Sequence, residues 1–168
     1  MRGYQTDSSR QQDMARLAVN EKLAASVPSQ ATLEALAQKC ASKPSIDATF
    51  EYAFCLTKSS SSEERRYSIK ILRNLVNEGY AHQVDCIYGI AIALYLNGEC
   101  DKARRECEAI LRAEPEHLAA TELHLACLDA ISKEDAKQME KMAVGAGVAV
   151  AGLGLAMGMA GLFFGKKR

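Results

Sequence analysis

The chain has 168 residues, of which 48% are hydrophobic and 25% are charged, and its formal net charge at pH 7 is zero. The last three residues are basic, so residues 1–141 carry a net charge of −3, which argues against a nucleic-acid-binding protein. The N-terminus has neither the apolar core of a secretory signal peptide nor the acid-free, Arg-rich pattern of a mitochondrial presequence.

Residues 1–28 predict a flexible N-terminal arm, because they are mostly polar and their helical periodicity is weak. The apolar residues at amphipathic spacing in this arm are Met14, Leu17, Ala18 and Leu23.

A helical domain is expected over residues 29–131, where apolar residues recur at helical spacing between Ser, Pro and Gly breaks. Ser29 and Ser45 are expected to cap the first two helices, and Pro115 is expected in the first turn of the last one. The helix over 81–96 is apolar on most sides and should be the most central. The six predicted helices cover residues 29–41, 46–58, 62–77, 81–96, 100–113 and 116–131.

A 34-residue period within this domain indicates a tetratricopeptide repeat from Val84 to Pro115. Ala91 and Ala103 are small enough to let the two helices of the repeat approach closely. A looser copy precedes it, with its first helix at residues 50–56 and a lengthened serine loop. Two repeats cannot bury their own ends, so the outer helices would cap them. The expected fold class is all-α: a six-helix tetratricopeptide-like bundle of two repeats plus capping helices, with a C-terminal transmembrane helix.

The first helix of each repeat should line a concave groove that binds a partner. An aromatic and aliphatic surface of this kind suits an amphipathic helix or an extended segment held by apolar anchors. A groove that grips a C-terminal carboxylate, as in a chaperone-binding protein, would instead need Lys, Arg and Asn. Alternatively, the sixth helix or the arm covers the aromatic positions, because a small domain needs its apolar residues inside. The predicted groove residues are Tyr52, Leu56, Asp85, Tyr88, Ile92, Tyr95 and Leu96.

The remaining candidate chemistry in the sequence is weak. The six cysteines lie among apolar residues without C-x-x-C pairs, which favours core packing over disulfides or redox chemistry. His117, His124 and Cys127 share one helix face, but a metal site lacks an evident fourth ligand. No catalytic or phosphate-binding motif is present, so we expect a non-enzyme that uses no cofactor.

Residues 142–165 form an uncharged run that predicts a membrane-spanning helix, because at about 1.5 Å per residue it crosses a hydrocarbon core of roughly 30 Å. The alternative is a buried core helix. A charged linker at 132–141 precedes the run. The basic residues Lys166, Lys167 and Arg168 (166–168) follow it and are expected to contribute to targeting. Its position near the end of the chain predicts a tail anchor that leaves residues 1–141 in the cytosol.

Two glycine pairs, Gly154 with Gly158 and Gly161 with Gly165, have the G-x-x-x-G spacing within this run. Such spacing permits close helix pairing and a homodimer. The alternative is that glycine, which is common in membrane helices, tunes the hydrophobicity of the span.

Together these features resemble the mitochondrial fission 1 family over residues 32–168. The resemblance lies in the Phe-Glu-Tyr-Ala-Phe-Cys-Leu string at 50–56, the stretch 96–115, and the Gly/Ala-rich span with its basic end. Two departures are the long N-terminal extension and Ser68, which stands where the pattern has Ala or Gly. In this family the arm can cover the groove, and the different N-terminus bears on that regulation.

The resemblance implies a tail-anchored adaptor on the mitochondrial outer membrane, facing the cytosol, and also on peroxisomes. Such an adaptor helps to recruit a dynamin-type GTPase, directly or through linker adaptor proteins. The residues themselves leave a second function open, a tail-anchored receptor or co-chaperone adaptor for other cytosolic clients.

Overall fold

The computed structural model describes the backbone of residues 7–158 and the side chains of residues 7–144, and over this range it contains seven α-helices and no strand. The chain divides into two compact units, residues 1–131 and 132–168. The helices are α1 (Asp7–Ala25), α2 (Gln30–Ser42), α3 (Ile46–Leu56), α4 (Ser62–Asn77), α5 (Gln83–Leu96), α6 (Cys100–Ala113) and α7 (Leu118–Gly158).

Within the first unit each helix from α2 to α5 packs on the next one, and α3 also reaches α5. The pairs α3–α4 and α5–α6 therefore form two consecutive helical hairpins, and the predicted all-α tetratricopeptide-like architecture is confirmed. As predicted, α5 is the most central helix, with eight buried residues from Cys86 to Tyr95. Ala91 and Ala103, one on each helix of the second hairpin, are both fully buried.

Serine side chains cap the N-termini of three helices. The Ser29 hydroxyl accepts a hydrogen bond from the Thr32 N–H at 3.1 Å, and Ser45 accepts one from Ala48 at 3.0 Å. Ser61 does the same for α4. These bonds satisfy amide groups that have no partner inside the helix. The capping roles predicted for Ser29 and Ser45 are confirmed.

The start of α7 differs from the prediction. Pro115 lies in a turn, and the helix begins only at Leu118. The Nδ1 atom of His117 accepts a hydrogen bond from the Ala120 N–H at 3.0 Å, so an imidazole takes the place of the usual capping oxygen. The expectation that Pro115 opens the helix was wrong, because the chain makes a further turn first.

The N-terminal segment also differs from the flexible arm that the sequence predicted. Residues 7–25 form helix α1, whose Val19 and Leu23 are only 6% and 8% exposed. Met14 and Leu17, which the amphipathic pattern had singled out, are more than half exposed. The first unit therefore gains a helix that the pattern missed, because its buried stripe consists of two residues.

Helix α7 continues through residues 132–141, the predicted linker, and the described part of it ends at Gly158. No helix among the described residues combines the length and the apolar character that a membrane crossing requires. The predicted span extends to residue 165, beyond the described range. Lys166, Lys167, Arg168, Gly161 and Gly165 also lie outside it, whereas Gly154 and Gly158 belong to α7.

Candidate partner-binding groove

Four of the predicted groove residues on α5 belong to the main apolar cluster or pack against it. Ile92 and Tyr95 are buried in the main apolar cluster, at 2% and 9% exposed, and the half-buried Tyr88 and Leu96 pack against this cluster. Because α5 is apolar on most sides, it can contact the core with one face and still present apolar side chains on another. These four residues therefore lie in, or pack against, one apolar cluster.

Helix α1 packs against this face. Val19 and Leu23 belong to the same buried cluster as Ile92 and Tyr95. The hydroxyl of Tyr95 donates a hydrogen bond of 2.8 Å to Oδ1 of Asn20, and burial raises the pKa of Tyr95 to about 12. Tyr95, which the sequence assigned to a partner, is therefore covered by the chain's own first helix, as one of the alternatives proposed.

Charged residues also attach α1 to α7. Arg16 forms an ion pair with Asp129 of α7, whose side chain is 6% exposed, and Arg16 also bonds Asp13 at 3.0 Å. The hydrogen bond to Asp129 is the main cause that raises the pKa of Arg16. Lys22 reaches Glu122 at 2.6 Å, but both side chains are largely exposed, so this pair contributes little.

The other predicted groove residues lie apart from this contact. Leu56 is buried at 2% exposed but does not belong to the main cluster. Tyr52 is half-buried, and burial raises its pKa, with contributions from Tyr67 and Glu64 of α4. Asp85 is exposed, and its Oδ2 lies 3.5 Å from Nδ1 of His82. The structure therefore does not bring all seven residues into one patch.

Tyr88 faces the start of α7. Its ring centroid lies 5.5 Å from that of His117, which caps this helix, and burial raises the pKa of Tyr88. The sixth predicted helix therefore covers Tyr88, whereas α1 covers Tyr95. Two different elements thus enclose the aromatic residues of α5.

An opening of about 290 Å³ remains where the face meets the loop between α3 and α4. Leu23 and Leu96 form apolar walls, and Lys58 and Arg65 supply positive charge. This pocket is the part of the surface that α1 leaves uncovered.

The three residues considered for a metal site have separate roles. His117 caps α7, and Nε2 of His124 lies 3.5 Å from a carboxylate oxygen of Glu108. Cys127 is buried in the apolar cluster, and burial raises its pKa. Within the described residues no group of three or more His, Cys, Asp or Glu side chains is arranged to hold a metal ion.

Sequence reasoning missed the residues that attach α1. Asn20, Arg16 and Lys22 contact partners between 75 and 113 positions away in the chain. A local sequence pattern does not indicate contacts between residues so far apart in the chain. The available signal was the spacing of Val19 and Leu23, four residues apart on one helical face.

Two helical hairpins with an apolar face along the first helix of the second hairpin define a protein-interaction module of the tetratricopeptide class. The family model of the Fis1 C-terminal tetratricopeptide repeat matches residues 84–136. The human mitochondrial fission 1 protein is 32% identical over 126 residues, which cover 74% of this chain and 76% of the human protein. The Candida glabrata protein of that name is 31% identical over 111 residues, which cover 66% and 71% of the two chains.

Solved structures agree with these sequence relatives. The crystal structure of the fission protein Fis1 from Saccharomyces cerevisiae has a TM-score of 0.61 and 26% identity, and the match covers 67% of this chain and 91% of that one. The crystal structure of yeast Fis1 in complex with an Mdv1 fragment, which contains N-terminal extension and coiled-coil domains, has a TM-score of 0.61 and 27% identity. This match covers 65% of this chain and 89% of that one. The chain belongs to the mitochondrial fission 1 protein family.

Proposed function

We propose that this chain is an adaptor that recruits fission machinery to the mitochondrial outer membrane. The partner is a linker adaptor protein or a dynamin-type GTPase, and the chain acts by binding, without catalysis. The observation that carries the proposal is the apolar face of α5, where Tyr95 and Ile92 share a buried cluster with Val19 and Leu23 of the N-terminal helix. A yeast relative crystallised with an Mdv1 fragment supports a linker as partner.

The binding surface would be the face that α1 covers, together with the opening beside it. Leu96 is half-buried at this opening, so it is available to an incoming apolar side chain. An apolar anchor in such a partly enclosed site is a common source of binding energy between proteins. Tyr95 and Ile92 would join the interface when α1 moves away.

For attachment we propose that residues 142–165 form the membrane span, with residues 1–141 on the cytosolic side. The uncharged sequence of this run is the support, because soluble helices rarely lack polar residues over such a length. Lys166, Lys167 and Arg168 would direct the anchor to the mitochondrial outer membrane and to peroxisomes. The paired glycines in the span would permit a homodimer.

The binding proposal is tested with the full-length chain and the linker adaptor or dynamin-type GTPase of the same organism. Leu96→Arg places a charge at the opening and should weaken binding by more than about tenfold. Leu118→Arg is the matched control, because Leu118 is 77% exposed at the start of α7. Equal binding by both variants, or capture of chaperones and preproteins without any fission protein, would contradict the proposal.

Localisation is tested with the full-length chain carrying an N-terminal fluorescent protein. Changing Lys166, Lys167 and Arg168 to Ser should move the label from mitochondria to other membranes. Changing Lys133, Lys137 and Lys141 to Ser is the control with the same loss of charge. Labelling of the endoplasmic reticulum alone by the unchanged chain would refute the proposed address.

A further inference from the structure

The four serines at positions 59–62, in the loop after α3 and at the start of α4, occupy different environments. Ser59 is 4% exposed, and its hydroxyl donates a hydrogen bond to the Glu64 carboxylate. Ser61 caps α4, and Ser62 is the first residue of that helix. The Ser60 hydroxyl is exposed, has no hydrogen-bond partner in the described part of the chain, and lines the pocket beside α1. Ser60 is therefore the serine of this loop that is both accessible and directed at a pocket.

Two cationic side chains line the same pocket without a carboxylate partner. Lys58 lies over the Phe54 ring, 5.3 Å from its centroid, and within the described residues it forms no ion pair. Arg65 donates only to neutral oxygens, those of the Asn97 side chain and of the Ser59 and Leu96 backbone. Burial lowers the pKa of Arg65. A half-buried cation without a counter-ion is unusual, and an anion in this pocket would compensate it.

Asn20 supplies a further donor from α1. Its Oδ1 accepts the hydrogen bond from Tyr95, which leaves the amide N–H groups to donate elsewhere, and Asn20 also lines the pocket. The residues that line the pocket thus supply a guanidinium, an ammonium and an amide as well as the Ser60 hydroxyl. These are the donor types that hold a phosphate group in proteins.

We propose that Ser60 is a phosphorylation site whose phosphate is held by Lys58 and Arg65 and, through the Asn20 amide, fastens α1 to the loop. A protein kinase would transfer the γ-phosphoryl group of ATP to Oγ of Ser60. The new bond joins Oγ to phosphorus, the bond between this phosphorus and the β-phosphate oxygen breaks, and ADP leaves. The hydroxyl proton passes to the base of the kinase. Glu63, three residues after Ser60, suits a kinase that prefers acidic sequences.

Negative groups near the pocket oppose this arrangement but do not dominate it. Glu63 is exposed at the start of α4, and Glu64 is already bonded to the Ser59 hydroxyl. The last turn of α1 presents carbonyl groups, which disfavour an anion. Against them stand the two unpaired cations and the N-terminus of α4, which favours a negative charge. The phosphate therefore strengthens the contact between α1 and the loop.

The test uses the full-length chain with phosphoserine incorporated genetically at position 60. Hydrogen exchange of the α1 backbone amides should become about tenfold slower than in the unmodified chain, as expected for one or two new charge-assisted hydrogen bonds. Phosphoserine at position 62 is the matched control, because Ser62 is exposed but does not line the pocket. In the Lys58→Gln background the slowing at position 60 should largely disappear.

Unchanged or faster exchange of α1 with phosphoserine at 60, or equal slowing with phosphoserine at 62, would overturn the proposed role of the phosphate. The modification itself is tested by treating the full-length chain with an acidophilic serine kinase and ATP. Phosphate mapped to Ser60 supports the site, and phosphate mapped only to other serines rejects it. Weaker binding of a fission partner by the phosphorylated chain is expected only if the proposed function is correct. The hydrogen-exchange measurement tests the effect of the phosphate on α1 independently of that function.

Discussion

Nε of Arg16 on α1 donates a hydrogen bond to Oδ2 of Asp129 on α7, and the Asp129 carboxylate is almost completely buried. This pair connects residues 113 positions apart and places the N-terminal helix against the last helix of the first unit. A buried carboxylate needs a cation or several donors, so the position of α1 is coupled to the stability of α7.

Replacing Arg16 with Met should destabilise the protein by about 1–3 kcal/mol, because the buried Asp129 carboxylate loses its charge-assisted hydrogen bond from the Arg16 guanidinium. Hydrogen exchange should show the loss first in α1, and urea unfolding should show it in the whole first unit. Arg10→Met is the control, since Arg10 pairs with an exposed carboxylate on the surface. A similar loss in both variants would mean that helix propensity, and not the pair, is responsible.

The contact between Tyr95 and Asn20 should give the protein a specific alkaline dependence. Burial raises the pKa of Tyr95 from 10.0 to about 12, so the folded protein keeps this proton at a pH where the unfolded chain releases it. The stability from Tyr95 is therefore complete below about pH 10 and is lost as the pH rises towards about 12. At neutral pH, Tyr95→Phe should lower the free energy of unfolding by about 1 kcal/mol, because Asn20 loses its donor.

The measurement for Tyr95 is urea unfolding at neutral and alkaline pH, with tyrosinate absorbance followed in parallel. The free energy of unfolding of Tyr95→Phe should fall less steeply with rising pH than that of the unchanged chain across the alkaline range. Tyr67→Phe, at a site 54% exposed on α4, serves as the control and should behave like the unchanged chain. Identical alkaline curves for all three proteins would show that the Tyr95 phenol does not contribute.

Gly89 on α5 fixes the distance between the two hairpins. A Cβ at this position would lie 2.9 Å from Cδ1 of Leu72 and 3.0 Å from Cδ2 of Phe54, closer than such atoms normally approach. Gly89→Ala should therefore destabilise the protein by about 1–2 kcal/mol, although Ala is the better helix former. Leu72→Val makes room for the added methyl group, so Gly89→Ala should lower the free energy of unfolding less in the Leu72→Val background than in the unchanged chain. No recovery in that background would point to Phe54 as the obstacle.

The cysteines should differ sharply in their reactivity towards an alkylating agent. Burial raises the pKa of Cys86 to about 11 and that of Cys107 to about 12, and both are enclosed, whereas Cys40 is half-buried. Because the thiolate is the reactive form and each pKa unit reduces it tenfold, Cys107 should react roughly a hundredfold or more slowly in the native protein than in the denatured chain. Mass spectrometry after timed alkylation measures this. Denaturant should abolish the difference between the cysteines, and rapid native labelling of Cys107 would contradict the packing role.

Local sequence chemistry predicted the repeats and most of the helix ends. Ser29 and Ser45 were recognisable because a cap acts on an amide three residues away, and Ala91 was recognisable because the repeat period fixes its place. Helix α1 was not recognisable, because its two buried residues are few and its polar contacts, such as Arg16 with Asp129, join distant parts of the chain. His117 was considered as a metal ligand, whereas its imidazole caps a helix.

The absence of a side chain at Gly89 has a further consequence for the timing of binding. Since Phe54 and Leu72 approach α5 so closely there, spreading the two hairpins apart to admit a partner beside α1 would break close-packed contacts. A partner that contacts Tyr95 must then wait until α1 detaches. Its observed association rate would stop rising with concentration and level off at the rate at which α1 leaves.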